Sequence, residues 1–235
     1  MIRALLASTS TLHGQEYLEY LIPEIKNFFN EVSEVLFIPY ARPEGISHEE
    51  YAALAAKGFS KAGVKLRGIQ EFNDPVEAVK QAEGIFTGGG NTFLLVSKLY
   101  RSKVMQALQE AILSGTPYMG TSAGTNIAGL TMQTTNDMPI IYPPSFKTLG
   151  IVPFNINPHY LDPDKNSTHK GEIRETRIKE FHTLNTQPVV GLREGSWLEI
   201  SGDKITLKGK PEARIFKPEQ VPFEIKTGTS LTDLT

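Results

Sequence analysis

Short apolar runs recurring between amphipathic stretches constrain this chain more than any other feature. Ala4 to Ala7, Val35 to Ile38 (ended by Pro39), Val64 to Leu66 and Ile85-Phe86-Thr87 each hold only enough apolar residues for a buried strand. Between them, Tyr17, Leu18, Leu21, Ile22, Ile25, Phe28 and Phe29 recur at helical spacing, which predicts a helix there. A second helix is predicted from Ser47 to Lys61, with Ser47 as N-cap and Glu50 at the capping-box position. Asp74-Pro75 opens a third, Asn91 starts a fourth, and a further helix runs to about Leu113. This βαβα rhythm implies an α/β fold: a mostly parallel sheet flanked by helices on both faces, with right-handed connections. In such sheets ligands sit at the carboxyl ends of the strands.

The second half has a different texture. Residues Asn157 to Thr168 are polar and irregular, and Gly171 to His182 returns to helix. Val189 to Leu192 reads as a strand. Trp197 to Ile200 and Lys204 to Leu207, joined at Gly202-Asp203, read as a C-terminal β-hairpin. The last ten residues are polar and expected to be loosely held. With no repeat, low-complexity tract or composition break, residues 1–235 are expected to form a single domain.

Composition removes several function classes. The chain has 24 basic against 26 acidic residues, so no electrostatic footprint points to nucleic acid or an anionic membrane. It contains no cysteine, which excludes thiol catalysis, disulfides and thiolate metal sites, and fits a reducing compartment. No apolar run approaches the roughly 18 residues a membrane-spanning helix needs. A cytoplasmic protein is expected.

One stretch carries nucleophile chemistry. Gly120-Thr121-Ser122-Ala123-Gly124 follows the apolar run Thr116 to Met119 and leads into small residues able to start a helix. G-x-S-x-G at a strand-to-helix turn is a nucleophile elbow, with the serine hydroxyl at its tip. A serine hydroxyl needs a neighbouring base. Of the five histidines, His13 and His48 lie in early polar turns and His182 late on the expected helix. His159, in Asn157-Pro158-His159-Tyr160 after the apolar run Ile151 to Ile156, falls at a strand's carboxyl end, on the rim expected for Ser122. It is a base or a satisfied structural histidine. Two carboxylates could orient it: Asp137, in Thr134-Thr135-Asn136-Asp137-Met138-Pro139, and Glu194, after the strand at Val189 to Leu192. The position of Glu194 favours it slightly.

Oxyanion donors are available in the N–H of Ala123 and in Gly88-Gly89-Gly90-Asn91, with Gly89 or Gly90 supplying the second. Neither dinucleotide- nor P-loop spacing fits that triplet. Asp162-Pro163-Asp164-Lys165-Asn166 starts like a calcium loop, but Ser167 stands at the glycine position and Ile173 where a bidentate glutamate belongs. Arg174 and Arg177 share one helix face, either as surface partners of Glu172 and Glu175 or as a clamp for a substrate carboxylate.

Together these segments resemble the peptidase E family, the α-aspartyl dipeptidases of serine peptidase group S51. The resemblance rests on Ser8 to Leu12, Val35 to Tyr40, Gly88-Gly89-Gly90-Asn91-Thr92-Phe93, Ser122-Ala123-Gly124, Thr134 to Ile140 and Asn155 to His159. His169-Lys170-Gly171-Glu172 with Arg174, and Leu192-Arg193-Glu194-Gly195, extend it over nearly the whole chain. It implies a fold similar to the class I glutamine amidotransferase domain (flavodoxin-like), with serine in place of cysteine. It implies hydrolysis of a small peptide substrate with N-terminal aspartate (Asp-Xaa), without metal or cofactor, by a cytoplasmic monomer or homodimer. By that match Ser122 is the nucleophile, His159 the base, and Glu194 or Asp137 the third member. Specificity for aspartate calls for a cationic or multi-donor pocket: Arg174 first, Arg177 second, with Asn91 and Thr135 as supporting donors. Three other readings share these motifs: a cyanophycinase-like peptidase acting on an Asp/Arg polymer, an esterase without aspartate preference, and a non-catalytic amidotransferase-like binding module.

Overall fold

The protein is described here by a computed structural model covering residues 1–163 and 172–234. The chain begins β1 (Arg3–Ala7), α1 (Ile22–Phe28), β2 (Glu34–Ile38), α2 (His48–Lys61), β3 (Lys65–Gly68), α3 (Pro75–Lys80) and β4 (Gly84–Thr87). It continues α4 (Thr92–Arg101), α5 (Val104–Ser114), β5 (Tyr118–Thr121), α6 (Ala123–Asn126), β6 (Asn155–Pro158) and α7 (Arg174–Phe181). It ends β7 (Val189–Leu192), β8 (Ser196–Ser201), β9 (Lys204–Gly209), β10 (Ala213–Phe216) and β11 (Phe223–Ile225). No helix among the described residues is long and apolar enough to cross a membrane.

The main sheet has the order β3-β2-β4-β5-β1-β8-β9. Its first five strands run parallel, and β8 and β9 add an antiparallel edge. Alternating side chains divide the core as a pleated sheet requires. Leu36, Ile38, Ile85 and Leu6 pack with α3, α4 and α5 on one face. Val35, Phe37, Phe86 and Leu5 pack with residues of α1 and α2 on the other. This is the mostly parallel, helix-flanked sheet expected from the βαβα pattern. The expected capping box at Ser47 and Glu50 forms, and Asp74 and Asn91 cap α3 and α4. The hairpin turns at Gly202, whose φ of 61° suits a residue without a Cβ.

Four expectations change. Only Ile22–Phe28 of the Tyr17–Phe29 repeat is α-helix, because Leu18 adopts φ 61° and Pro23 can enter only the first helical turn. Of the Ile151–Ile156 run only its end is strand: the amides of Ile151 and Val152 donate to the Ala128 carbonyl instead of a ladder. That strand, β6, does not join the main sheet. It belongs to a second sheet of order β11-β10-β7-β6, in which β6 and β7 are parallel. The start of the expected Gly171–His182 helix lies outside the described residues, and α7 begins at Arg174.

The fourth concerns the C-terminal segment, which is fastened rather than loose. Leu231 and Leu234 are buried. Leu207 N–H donates to Thr229 O at 3.1 Å, Leu231 N–H to Ile205 O at 2.8 Å, and Ile205 N–H to Thr232 Oγ1 at 3.1 Å. The outer side of β9 and two leucines supply what composition could not reveal. Leu231→Ala is therefore expected to cost about 2–3 kcal/mol. In thermal unfolding this lowers Tm by roughly 5–10 °C, whereas a loose tail would leave Tm unchanged.

Candidate active site

The elbow is built by close packing around one strained residue. Ser122, between β5 and α6, has φ 53° and ψ −111°, a conformation L residues rarely adopt. Its neighbouring glycines serve approach, not φ. A Cβ on Gly120 would lie 2.5 Å from the Gly124 carbonyl oxygen, and one on Gly124 would collide with the Thr87 carbonyl. Thr125 Oγ1 donates to Ala7 O at 2.6 Å and Gly120 O at 2.8 Å, stapling α6 to β1 and β5.

His159 follows β6 directly and also has positive φ, 52°. Its Nε2 lies 2.9 Å from Ser122 Oγ and its Nδ1 2.6 Å from Glu194 Oε1. With Nδ1–H donating to the carboxylate, Nε2 faces the serine as an acceptor. Glu194 stands in the turn where the chain leaves the second sheet at β7 and enters the first at β8. Neither group is deeply buried: side-chain exposure is 35% for His159 and 47% for Glu194.

Ser8, just past β1, holds this arrangement. Fully buried, its hydroxyl accepts the His159 N–H at 2.9 Å and donates to Leu192 O at 2.7 Å. No role for Ser8 followed from the sequence; its place at the carboxyl end of the first strand was the available signal.

The glycine triplet lies against the elbow. A Cβ on Gly89 would sit 2.9 Å from Ser122 Cβ, and one on Gly90, at φ 142°, would collide with the Ala41 carbonyl. The Tyr51 hydroxyl donates to Gly89 O at 3.2 Å, and Asn91 N–H to Ala41 O at 2.7 Å. The N–H groups of Gly89, Gly90 and Ala123 find no acceptor among the described residues. They are free to meet negative charge next to Ser122.

Asp137 stands apart from the histidine. Its Oδ2 accepts from Thr92 N–H at 2.7 Å, Thr92 Oγ1 at 2.6 Å and Thr135 Oγ1 at 3.0 Å, at the start of α4. The Asn91 side chain is also spent, its Oδ1 capping Leu94 N–H and its Nδ2 donating to Met138 O. Asn91 and Thr135, expected as substrate donors, instead fasten the Asp137 loop to α4. Asp137 and Thr135 nevertheless line one small cleft with Ser122 and His159.

The two arginines of α7 part ways. Arg177 lies 4.0 Å from Glu172 and lines a groove with Phe93, Phe146 and Phe181. Glu175 pairs with Lys179 and Arg214, and Arg174 makes no ion pair among the described residues. Partial burial holds the Arg174 guanidinium below its usual pKa, the like charge of Arg177 adds to this, and Asp137 pulls the other way.

Of the other histidines, His48 meets Lys98 at 3.0 Å and His182 meets Gln187 O at 2.9 Å, both away from Ser122. His169 and residues 164–167 of the calcium-like stretch lie outside the described residues. Asp162 is engaged: Arg193 donates to both its oxygens, at 2.6 and 2.8 Å.

Comparison with known proteins agrees with the geometry. The model of peptidase family S51 matches residues 4–208. The chain belongs to that family. It is 48% identical to "Peptidase E" of Streptomyces coelicolor, over 98% of this chain and 93% of the relative. It is 44% identical to "Probable alpha-aspartyl dipeptidase" of Drosophila melanogaster, over 98% and 95%. In fold it is similar to a crystal structure of a peptidase from an acI-B1 Actinobacterium, with TM-score 0.73 and 22% identity, covering 98% of this chain and 96% of that one. In this S51 chain, as in its relatives by name, peptidase chemistry is the frame for the site.

Beside the site, Arg193 also binds Glu224, which with Glu175 binds Arg214. Arg193 holds the Asp162 and Glu224 carboxyls below their usual range. For Glu175, burial pushes upward, but Lys179 and Arg214 together outweigh it. Depressed folded-state values mean the stabilisation is complete above the unfolded carboxylate range of about 4 and is lost as pH falls through the lower folded values. Tm should accordingly drop as pH falls below about 4. An Arg193→Gln variant should start lower at pH 7 and fall less steeply, checked by calorimetry across that range.

Proposed function

We propose that this protein is a serine dipeptidase that hydrolyses Asp-Xaa dipeptides through an acyl-enzyme on Ser122. The observation that carries the reading is the relay Glu194–His159–Ser122, with contacts of 2.6 and 2.9 Å at a strained elbow, in a chain of the S51 family. The name of one relative, an alpha-aspartyl dipeptidase, supports the substrate class.

Ser122 attacks the peptide carbonyl as His159 Nε2 takes its proton, and Glu194 steadies the imidazolium that forms. The carbonyl oxygen, now negative, meets the N–H of Ala123 and that of Gly89 or Gly90. Removing one such donor typically costs about 10²- to 10³-fold in rate. His159 then gives the proton to the leaving amine as the C–N bond breaks. Water, deprotonated by the same imidazole, attacks the ester and releases aspartate and Ser122. Glu194 is the orienting carboxylate in this scheme because it contacts His159, whereas the three bonds to Asp137 come from Thr92 and Thr135.

Arg174 receives the aspartate side chain. Its guanidinium, without an acid partner among the described residues and within electrostatic reach of Asp137, suits a substrate carboxylate. Arg177 is the second candidate for that carboxylate. The reading takes residues 1–235 as one peptidase domain, working without cofactor in the cytoplasm as a monomer or homodimer.

The test is release of leucine from Asp-Leu, Ala-Leu and isoAsp-Leu in the presence of EDTA, beside Ser122→Ala. Cleavage of Asp-Leu alone, abolished in the variant, is expected; cleavage surviving Ser122→Ala overturns the nucleophile. Glu194→Gln should lower kcat by about 10²- to 10⁴-fold with little change in KM. Arg174→Ala should raise KM for Asp-Leu by roughly 10- to 100-fold and hardly affect Ala-Leu. Equal losses on both substrates would remove Arg174 from the pocket.

A further inference from the structure

The carboxylate that the proton relay does not use sits in a cleft that holds two unpaired side-chain acceptors. Asp137 Oδ2 is saturated by Thr92 and Thr135, but Oδ1 takes no hydrogen bond among the described residues. Asn126 lines the same cleft and is 1% exposed. Its Nδ2 is committed to Ile156 O at 2.8 Å, which fixes the amide orientation and leaves Oδ1 buried without a partner. A buried acceptor left unpaired is costly and calls for a donor. The cleft's other side-chain donors are already used: Thr135 on Asp137, and Asn136 Nδ2 on Pro158 O.

Size and place narrow the occupant. The cleft between these residues, Ser122 and His159 holds about 20 Å³, room for one water-sized group. A substrate's α-nitrogen lies only two bonds, about 2.5 Å, from the carbonyl carbon that the serine attacks. An ammonium has that size, carries three donors and brings the charge that a free carboxylate oxygen lacks.

We propose that Asp137 and Asn126 form the receptor for the free α-ammonium of the substrate, and so restrict the enzyme to the first residue of a peptide. The proposal rests on the Asp-Xaa reading above and adds the polar group that reading leaves unassigned. An internal peptide bond offers only one neutral N–H there, and its further chain must be placed outside a cleft that holds one water-sized group. With Arg174 taking the β-carboxylate, the two charges of an N-terminal aspartate meet opposite charges on separate side chains.

The experiment compares Asp-Leu with succinyl-leucine, the same acyl group without its amine, in the wild type and in Asp137→Asn. The variant keeps an oxygen for Thr92 and Thr135 and replaces the free oxygen with a neutral donor. The wild type should favour Asp-Leu in kcat/KM by roughly 10- to 100-fold, as expected for a charged hydrogen bond, and the variant should lose most of that preference. Its loss should fall on Asp-Leu alone. The wild-type preference should also fade as pH rises through the α-amino pKa of about 8, and the variant's should not. Fluorophosphonate labelling of Ser122 at an unchanged rate would show that the relay is intact in the variant. Equal losses on both substrates with slowed labelling would make Asp137 part of the relay or its scaffold. A preference undiminished in the variant would place the ammonium elsewhere. If the wild type cleaves neither substrate, the dipeptidase reading fails, while calorimetric binding still tests the receptor. There, L-aspartate should bind more tightly than succinate to the wild type and not to Asp137→Asn; equal binding to the wild type overturns the proposal.

Discussion

The hydroxyl of Ser8 ties together two sheets that share no strand. The main sheet carries Ser122 and the glycine loop; the second carries His159 at the end of β6. Register brings these ends together. Ala7 pairs with Thr121, so Ser8 leaves β1 beside the elbow, and Pro158 pairs with Leu192, so His159 lies alongside the turn holding Glu194. Ser8 then bonds the ends of β6 and β7 in the second sheet, and its own N–H donates to Ser196 O at 3.1 Å, where the chain has crossed back. One small buried side chain thus helps fix the position of His159 relative to Ser122. Alanine in its place would leave an N–H and a carbonyl to find other partners in a dry setting.

Much of this was legible in the residues. Helix starts at Ser47, Asp74 and Asn91 could be read because a short polar side chain before an apolar repeat has one good use, to accept the first free N–H groups. The elbow could be read because steric demand near Ser122 leaves only glycine at positions 120 and 124. The partition into two sheets could not. Val189–Leu192 and Ala4–Ala7 look alike as apolar runs, and which strand each one pairs with depends on contacts far along the chain. For the same reason both Asp137 and Glu194 stood as candidate partners for His159, with only a slight preference for Glu194 from its place after a strand. Only distance separates a carboxylate that holds a threonine loop from one that holds an imidazole.

The site also concentrates unfavourable backbone geometry. Ser122 and His159, the two residues that exchange a proton in the proposed reaction, both sit at positive φ without being glycine. Such positions cost on the order of 1–3 kcal/mol each and persist only where surroundings over-determine them. Thr125, pinned to two carbonyls, does this for the elbow, and Ser8, gripping the His159 amide, does it for His159. Buried hydroxyls thereby turn packing energy into fixed geometry for side chains that are themselves partly open to water.

The fastened C-terminal segment has a consequence for the protein in concentrated solution. β9 is the outermost strand of the main sheet, and its outward amides and carbonyls would otherwise form a ready template for a strand from another molecule. Residues 229–232 occupy that template from within the chain, through bonds to Ile205 and Leu207 and a bridge between Thr206 and Ser230. The segment works as a built-in stopper, so clipping by a protease or crowding by a C-terminal fusion would unmask a sticky edge while leaving the proposed relay in place.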